Sequence, residues 1–160
     1  MELTGEYRLD ASKDIVWNAL NDRTVLERCI PGCKELKQKS TNEFEANVAV
    51  KIGPFSATFI GNVALENLDP PNGYNIIGQG NGGVAGFARG MAVVKLDEVD
   101  GVTTLTYETK AEVVGKIASL GGRLITATSK KLAEKFFASL VREVSFNKRI
   151  YNDGAEGDAI

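Results

Sequence analysis

The sequence predicts an α+β fold in which a curved antiparallel sheet of seven strands holds one long C-terminal helix. From Lys34 to Gly115, apolar and polar residues alternate with a period of two almost throughout, which is typical of strands with one buried face. From Lys116 to Val144, apolar residues recur every three to four positions, which indicates a helix with one apolar face. Past Gly121-Gly122 no Gly or Pro interrupts this pattern, so a helix of about 24 residues is expected, with a length of about 36 Å. Such a helix needs a broad apolar surface to lie on, and the preceding strands are the part of the chain that can supply it.

The segment before these strands predicts one further strand and two short helices. Residues 2–10 alternate as a strand, and Ser12 can cap the helix that follows. Thr24 and Glu27 stand at capping-box spacing for a second helix. We therefore expect a single helix-grip domain over residues 1–146. After residue 146 the periodicity is lost and Gly and acidic residues increase, so residues 147–160 are predicted to be a flexible tail.

Composition narrows the class of protein and the chemistry that it can perform. The chain of 160 residues is 43% hydrophobic and 25% charged with a net charge of −2, as in an ordinary soluble domain with no basic character suited to nucleic acid. The charged start has no apolar segment typical of a secretory signal, so a cytoplasmic location is expected. The sequence contains no histidine, which excludes histidine-dependent triads and histidine zinc ligands. Any catalysis would depend on carboxylates, Lys, Tyr, Ser or Cys.

Two local motifs allow a functional and a structural interpretation. Residues 78–83 match GxGxxG, but a dinucleotide site needs this motif between a strand and a helix, and here the next predicted element is a strand. We favour a glycine-rich hairpin, with a flexible portal to a cavity as the alternative. Cys29 and Cys33 are separated by three residues, unlike the two-residue spacing of redox and zinc motifs, and are expected to be structural.

A set of short motifs, spread in order over about residues 1–145, identifies a family resemblance. The chain resembles the G-subunit family of carbon monoxide dehydrogenase, within the START/Bet v 1-like (SRPBCC) superfamily. The motifs that carry the resemblance include Gly5-Glu6-Tyr7, Ile15-Val16-Trp17, Pro31-Gly32-Cys33, Ile52-Gly53-Pro54, Leu68-Asp69-Pro70-Pro71, Gly115-Lys116-Ile117-Ala118 and Phe136-Phe137.

The resemblance implies a helix-grip fold with an apolar cavity between sheet and long helix. It also implies association with a molybdenum-containing carbon monoxide dehydrogenase or related hydroxylase, with peripheral contact at the inner face of the membrane. Our first hypothesis is that the protein is not an enzyme and binds an apolar small molecule, either a quinone or a lipid-like molecule. The alternative is an assembly or membrane-recruitment factor that acts through its surface, and a third hypothesis is a cyclase- or hydrolase-like enzyme. No cofactor or metal is predicted for this chain, and a homodimer stays open.

The candidate site residues fall into two groups. The first group lies on the inward faces of the predicted strands and long helix and is expected to line the cavity: Val48, Phe59, Val63, Ile76, Tyr107, Leu124, Ile125, Thr128, Leu132 and Phe136. Tyr107 is expected either to bond a ligand oxygen or to be a satisfied core tyrosine. The second group forms a basic stripe on the long helix: Arg123, Lys130, Lys131 and Lys135. The stripe is expected either to contact a membrane or an acidic partner or to be a solvated face.

Overall fold

The computed structural model describes the backbone of residues 1–158 and the side chains of residues 1–146. The helices and strands are β1 Glu2–Leu9, α1 Lys13–Leu20, α2 Arg23–Cys29, β2 Cys33–Ser40, β3 Glu43–Ile52, β4 Phe55–Asp69, β5 Gly73–Asn81, β6 Phe87–Val99, β7 Val102–Val114 and α3 Gly122–Asp158. The seven strands form one sheet in the order β1-β7-β6-β5-β4-β3-β2, and every neighbouring pair is antiparallel. The predicted helix-grip arrangement is confirmed, with two short helices after β1 and the long helix α3 at the end. Two 3-10 turns, Gly83–Ala85 and Lys116–Leu120, precede β6 and α3.

The N-terminal caps of the two short helices show one confirmed prediction and one error. The Ser12 hydroxyl accepts a hydrogen bond from the Ile15 amide at 3.4 Å, as expected. For α2 the cap is Asp22 and not Thr24, because the Asp22 carboxylate accepts from the Thr24 and Val25 amides at 2.9 and 3.2 Å. A carboxylate can accept hydrogen bonds from two free amides, and its negative charge is stabilised by the positive end of the helix dipole.

The long helix α3 extends further than the sequence periodicity indicates. The predicted tail begins at residue 147, but the backbone is helical through Asp158. Residues 159–160 lie outside the described residues. The flexibility of the segment 147–160 stays a prediction.

The interior contains two separate hydrophobic clusters. The larger one joins α1, α2 and α3 to the inner face of all seven strands, and its most buried members include Val16, Leu105, Leu140 and Val144. The smaller cluster consists of Ile52, Phe59, Ala85 and Ile117 with partly buried neighbours, at the end of the sheet where α3 begins. The concave face of the sheet between the two clusters carries the candidate site.

Candidate functional site

The middle of the concave face is built from very small residues. The strand register places Gly61 beside Gly80, Gly78 beside Gly90, and Gly90 beside Ala111, across the four strands β4 to β7. We call this region the small-residue floor, and its members are Gly61, Gly78, Gly80, Gly90, Ala92 and Ala111. These residues share a face because strand partners at the same register point to the same side of a sheet.

Helix α3 does not contact the small-residue floor at Gly61, Gly78 or Gly80. A Cβ atom added at Gly61, Gly78 or Gly80 would meet only atoms of β3, β4 and β5 within 4 Å, at 3.7–3.9 Å. No atom of α3 lies within that distance of any of these positions. Because side chains in a normal interior fill such space, the floor leaves room below the helix.

The helix side of this space is formed by one face of the N-terminal half of α3. Thr128, Leu132 and Phe136 are half-buried on it. Ile125 is buried at 8% exposure. Leu124 is 36% exposed, and its Cδ2 lies 3.4 Å from the Cβ position of Gly53 in the β3–β4 turn. The predicted helix residues therefore range from a core position to the edge of the site.

The predicted strand residues lie on the inner face of the sheet. Val48, Val63 and Ile76 are half-buried and pack against the larger cluster. Phe59 is buried at 8% exposure within the smaller cluster, where its ring lies against Gly82. Phe59 thus closes one end of the site, and the other three residues form its wall. Ligand contact by the ten predicted residues stays a prediction.

One side of the site carries a stack of three aromatic rings, of which only that of Tyr107 belongs to a predicted site residue. The rings of Tyr7 and Phe137 stack at a centroid distance of 4.1 Å, and Tyr107 stacks on Phe137 at 5.5 Å. Gly5 makes this arrangement possible, because a Cβ there would lie 2.3 Å from the Tyr107 ring. Tyr7 was missed as a site residue, although its place in the alternation of β1 puts it on the inward face.

Both tyrosine hydroxyls are available as hydrogen-bond donors. Neither hydroxyl bonds to any of the described side chains or backbone groups, and both residues are half-buried. Burial raises the pKa of Tyr7, and the nearby Glu134 carboxylate raises it further. Burial likewise raises the pKa of Tyr107, with smaller contributions from Tyr7 and Glu134. Both groups are therefore protonated at neutral pH and can donate to an acceptor oxygen.

The glycine-rich motif is a hairpin, as the favoured interpretation predicts. β5 ends at Asn81, a 3-10 turn follows, and β6 begins at Phe87, so no helix N-terminus faces the motif. A Cβ at Gly82 would lie 2.7 Å from the Phe59 ring, so the loop packs closely on the smaller cluster. Its role as a flexible portal stays a prediction.

The two cysteines are free thiols in different environments. Cys29 is 2% exposed, and burial raises its pKa to about 11. Burial also raises the pKa of Cys33, whose Sγ donates to the Glu35 carbonyl oxygen at 3.5 Å. Among the residues that the structure describes, no three His, Cys, Asp or Glu side chains are placed so that they could hold a metal ion together.

The predicted basic stripe is on the surface of α3. Arg123, Lys130, Lys131 and Lys135 are all exposed, and none forms an ion pair with a side chain in residues 1–146. On the same helix, Glu143 instead pairs with Arg28 of α2 at 2.6 Å. None of the described helices combines the length and apolar composition that crossing a bilayer requires.

A further concavity lies on the opposite, outer face of the sheet and was not predicted. It is an open groove of about 700 Å³ whose lining includes Ile77 and Met91, which are 42% and 44% exposed. Its lining also includes Gly78, Gly90 and Ala111 of the small-residue floor, so the groove and the space under α3 share these residues of the sheet.

Comparison with known proteins gives one family match. A family model for CoxG, described as the G subunit of carbon monoxide dehydrogenase, matches residues 5–145. None of the curated proteins compared with the chain matches it.

Solved structures share the fold over nearly the whole chain. A conserved protein from Geobacillus kaustophilus is 29% identical, with a TM-score of 0.86 over 91% of this chain and 95% of that one. A START superfamily protein from Mycobacterium smegmatis is 14% identical, with a TM-score of 0.68 over 90% of this chain and 97% of that one. The Zhui aromatase/cyclase from Streptomyces sp. R1128 is also 14% identical, with a TM-score of 0.62 over 91% and 93%. At 14% identity these two structures show the fold alone.

Proposed function

The chain belongs to the CoxG family of carbon monoxide dehydrogenase, and from that premise we propose that it binds an apolar small molecule between the small-residue floor and α3. The resemblance predicted from its motifs is thereby confirmed. The observation that carries the proposal is the stand-off of α3 from Gly61, Gly78 and Gly80, none of which has an α3 atom within 4 Å of its Cβ position. Apolar space of this kind lacks dispersion contacts that a ligand can supply.

The aromatic stack favours a ligand with neutral acceptor oxygens. Tyr7 and Tyr107 offer two donors, and Glu134 adds negative potential close to both. A carboxylate headgroup would be repelled by Glu134, whereas a carbonyl oxygen accepts from a phenol without carrying charge. A quinone therefore fits this end of the site better than a fatty acid. The protein would carry or present it to a molybdenum hydroxylase such as carbon monoxide dehydrogenase.

A thermal-shift titration with a short-chain quinone and with a fatty acid tests the proposal. A ligand that binds only the folded state raises the melting temperature. We expect a larger rise with the quinone, and we expect Thr128→Trp to abolish it by filling the space under α3. The matched control is Ala127→Trp, at an exposed position of the same helix turn. No shift with any member of the panel, or equal shifts in both variants, would contradict the site.

The basic stripe supports a second candidate, recruitment to an anionic membrane or an acidic partner. The four cations are exposed and make no ion pair with a described side chain, so they are available to a partner. Lys130→Glu with Lys131→Glu should weaken binding to the dehydrogenase or to anionic vesicles, and binding of the unchanged protein should fall as salt rises. Equal binding by both proteins would leave the stripe as a solvated face.

An enzymatic role is the least supported candidate. The inward polar groups around the floor are tyrosine and threonine hydroxyls, and the chain has no histidine to act as a base near neutral pH. Recovery of the bound molecule unchanged after incubation with the protein, by extraction and mass spectrometry, is the result expected of a carrier.

A further inference from the structure

The two outer strands of the sheet differ in their regularity. β1 and β2 lie at the ends of the strand order, so each pairs with another strand on one side only. β2 has two register shifts, one after Cys33 and one after Gln38, and irregularities of this kind protect an edge strand from pairing with another chain. β1 pairs with β7 over its whole length without a shift. β1 therefore presents the regular edge, to which a further strand can be added.

Every second residue of β1 points its backbone groups away from β7. The backbones of Met1 and Ala111 exchange two hydrogen bonds of 2.8 Å, which identifies them as a hydrogen-bonded pair of the antiparallel ladder. Because such pairs alternate with non-hydrogen-bonded pairs, the residues whose N–H and C=O groups face the free edge are Glu2, Thr4, Glu6 and Arg8. No other segment of the described chain bonds to these backbone groups, so the edge is available to a partner.

The charges along this edge select one register for pairing with a second copy of β1. Antiparallel pairing that is symmetric about Gly5 places Glu2 opposite Arg8 at both ends. It places Thr4 opposite Glu6 on either side of the centre. Registers change in steps of two residues, and a step in one direction sets Glu2 opposite Glu6, whereas a step in the other sets Glu6 opposite its own copy. Opposite charges across a sheet stabilise the pairing and like charges destabilise it, so the register about Gly5 is favoured.

The two charges that would pair are not engaged elsewhere. Glu2 and Arg8 are exposed, and neither forms an ion pair with a described side chain. Within the sheet, Glu2 lies opposite Lys110, and Arg8 lies opposite Thr104, which in turn lies opposite Asp97. A second copy would therefore extend a row in which the signs alternate, from Asp97 through Arg8 and the partner's Glu2 to the partner's Lys110.

We propose that two copies of the chain associate by antiparallel pairing of their β1 edges about Gly5, which joins the two sheets into one continuous sheet. The pairing forms about eight backbone hydrogen bonds, two for each hydrogen-bonded pair of residues. A two-fold interface requires a surface that is complementary to itself. The order of Glu2, Glu6 and Arg8 meets this requirement, which favours a second copy over a strand from another protein. This inference goes beyond the proposed function and does not depend on a bound ligand.

Sedimentation velocity of the full chain, from micromolar to millimolar concentration, tests the proposal. The charge variants are Glu2→Arg, Arg8→Glu, an equal mixture of these two proteins, and the double variant Glu2→Arg/Arg8→Glu. The matched control is Glu66→Arg, which makes the same charge change as Glu2→Arg at an exposed position of β4, inside the sheet. Thr4→Pro removes an N–H group that faces the free edge and leaves the bonds to β7 in place.

We expect the unchanged protein and the control to form dimers of equal strength. Each single variant places like charges opposite each other at both ends of the pairing, so its self-association should weaken on the order of 10-fold. The equal mixture and the double variant restore both oppositely charged pairs and should associate as the unchanged protein does. Thr4→Pro should be a monomer, with circular dichroism and thermal melting to verify that it is folded.

Three results would overturn the inference. The first is an unchanged protein that stays a monomer at every concentration. The second is a dimer that neither the single charge variants nor folded Thr4→Pro weaken, which would assign the contact to another surface. The third is a mixture of the single variants that associates no better than either one alone, which would exclude the register about Gly5. Ligand titrations of the monomer are unaffected by these results, so the proposed function stands or fails separately.

Discussion

The two halves of α3 cover the same sheet in different ways. In the C-terminal half, Leu140 and Val144 are 0% and 1% exposed and pack with α1, α2 and β1. In the N-terminal half, Leu132 and Thr128 occupy the same apolar face but are half-buried, above a floor of glycine and alanine. Large side chains meet large side chains at one end, and small ones leave space at the other. The difference shows that one amphipathic helix can complete a packed core along one part of its length and lie above a floor of small residues along another.

Leu140→Ala should give the largest effect, since it removes a fully buried side chain from the packed half. Leucine-to-alanine changes at such positions cost about 2–5 kcal/mol of unfolding free energy. Urea denaturation of the purified variant measures the loss. A cost below about 1 kcal/mol would mean that the packed half is not the stabilising core.

Alkaline pH should also lower the free energy of unfolding, because the thiol of Cys29 is buried in the packed half. The folded-state pKa of about 11 exceeds the reference value of 9.0 because of burial, so the neutral thiol is favoured in the folded protein. The stabilisation that results from this pKa difference is fully present below pH 9. It is lost as the pH rises toward 11, because over this range the thiol ionises in the unfolded state while it stays largely neutral in the folded state. We expect the unfolding free energy of the unchanged protein to fall more steeply over this range than that of Cys29→Ala. Parallel curves for the two proteins would contradict the assigned burial.

Tyr107→Phe tests the proposed site beside the N-terminal half of α3, where we expect a loss of quinone affinity. Loss of one neutral hydrogen bond costs about 0.5–1.5 kcal/mol, which is roughly 2- to 10-fold in quinone affinity. The melting temperature without ligand should change little, because the hydroxyl has no described partner to lose. An apolar ligand without carbonyl oxygens provides the control, and its affinity should not change.

Leu132→Ala should cost much less stability than Leu140→Ala. The side chain is half-buried beside unfilled space, so its removal forfeits fewer contacts than Leu140→Ala, and we expect about 1 kcal/mol or less. The two variants are measured side by side under the same conditions. If Leu132→Ala costs as much as Leu140→Ala, the space under α3 is filled and the distinction between the two halves fails.

Much of this fold could be predicted because its signals are local. Alternation identified the inward faces of β1, β3, β4 and β7, and the spacing of Leu132, Phe136 and Leu140 identified the apolar face of α3. The family motifs were also readable from the chain alone. The cap at Asp22 was missed because Ser, Thr and Asp are all suitable caps, and sequence spacing alone did not choose between them.

The site was predicted less completely, because its geometry depends on residues far apart in the chain. The sequence by itself determined which side of each element faces inward, since that follows from a fixed backbone period. It could not determine that Tyr7 and Tyr107 meet through the pairing of β1 with β7, nor that four strands align their glycines and alanines into one floor. Only the tertiary structure decided how far α3 stands from that floor, because this distance is set by side-chain volumes contributed by every element at once.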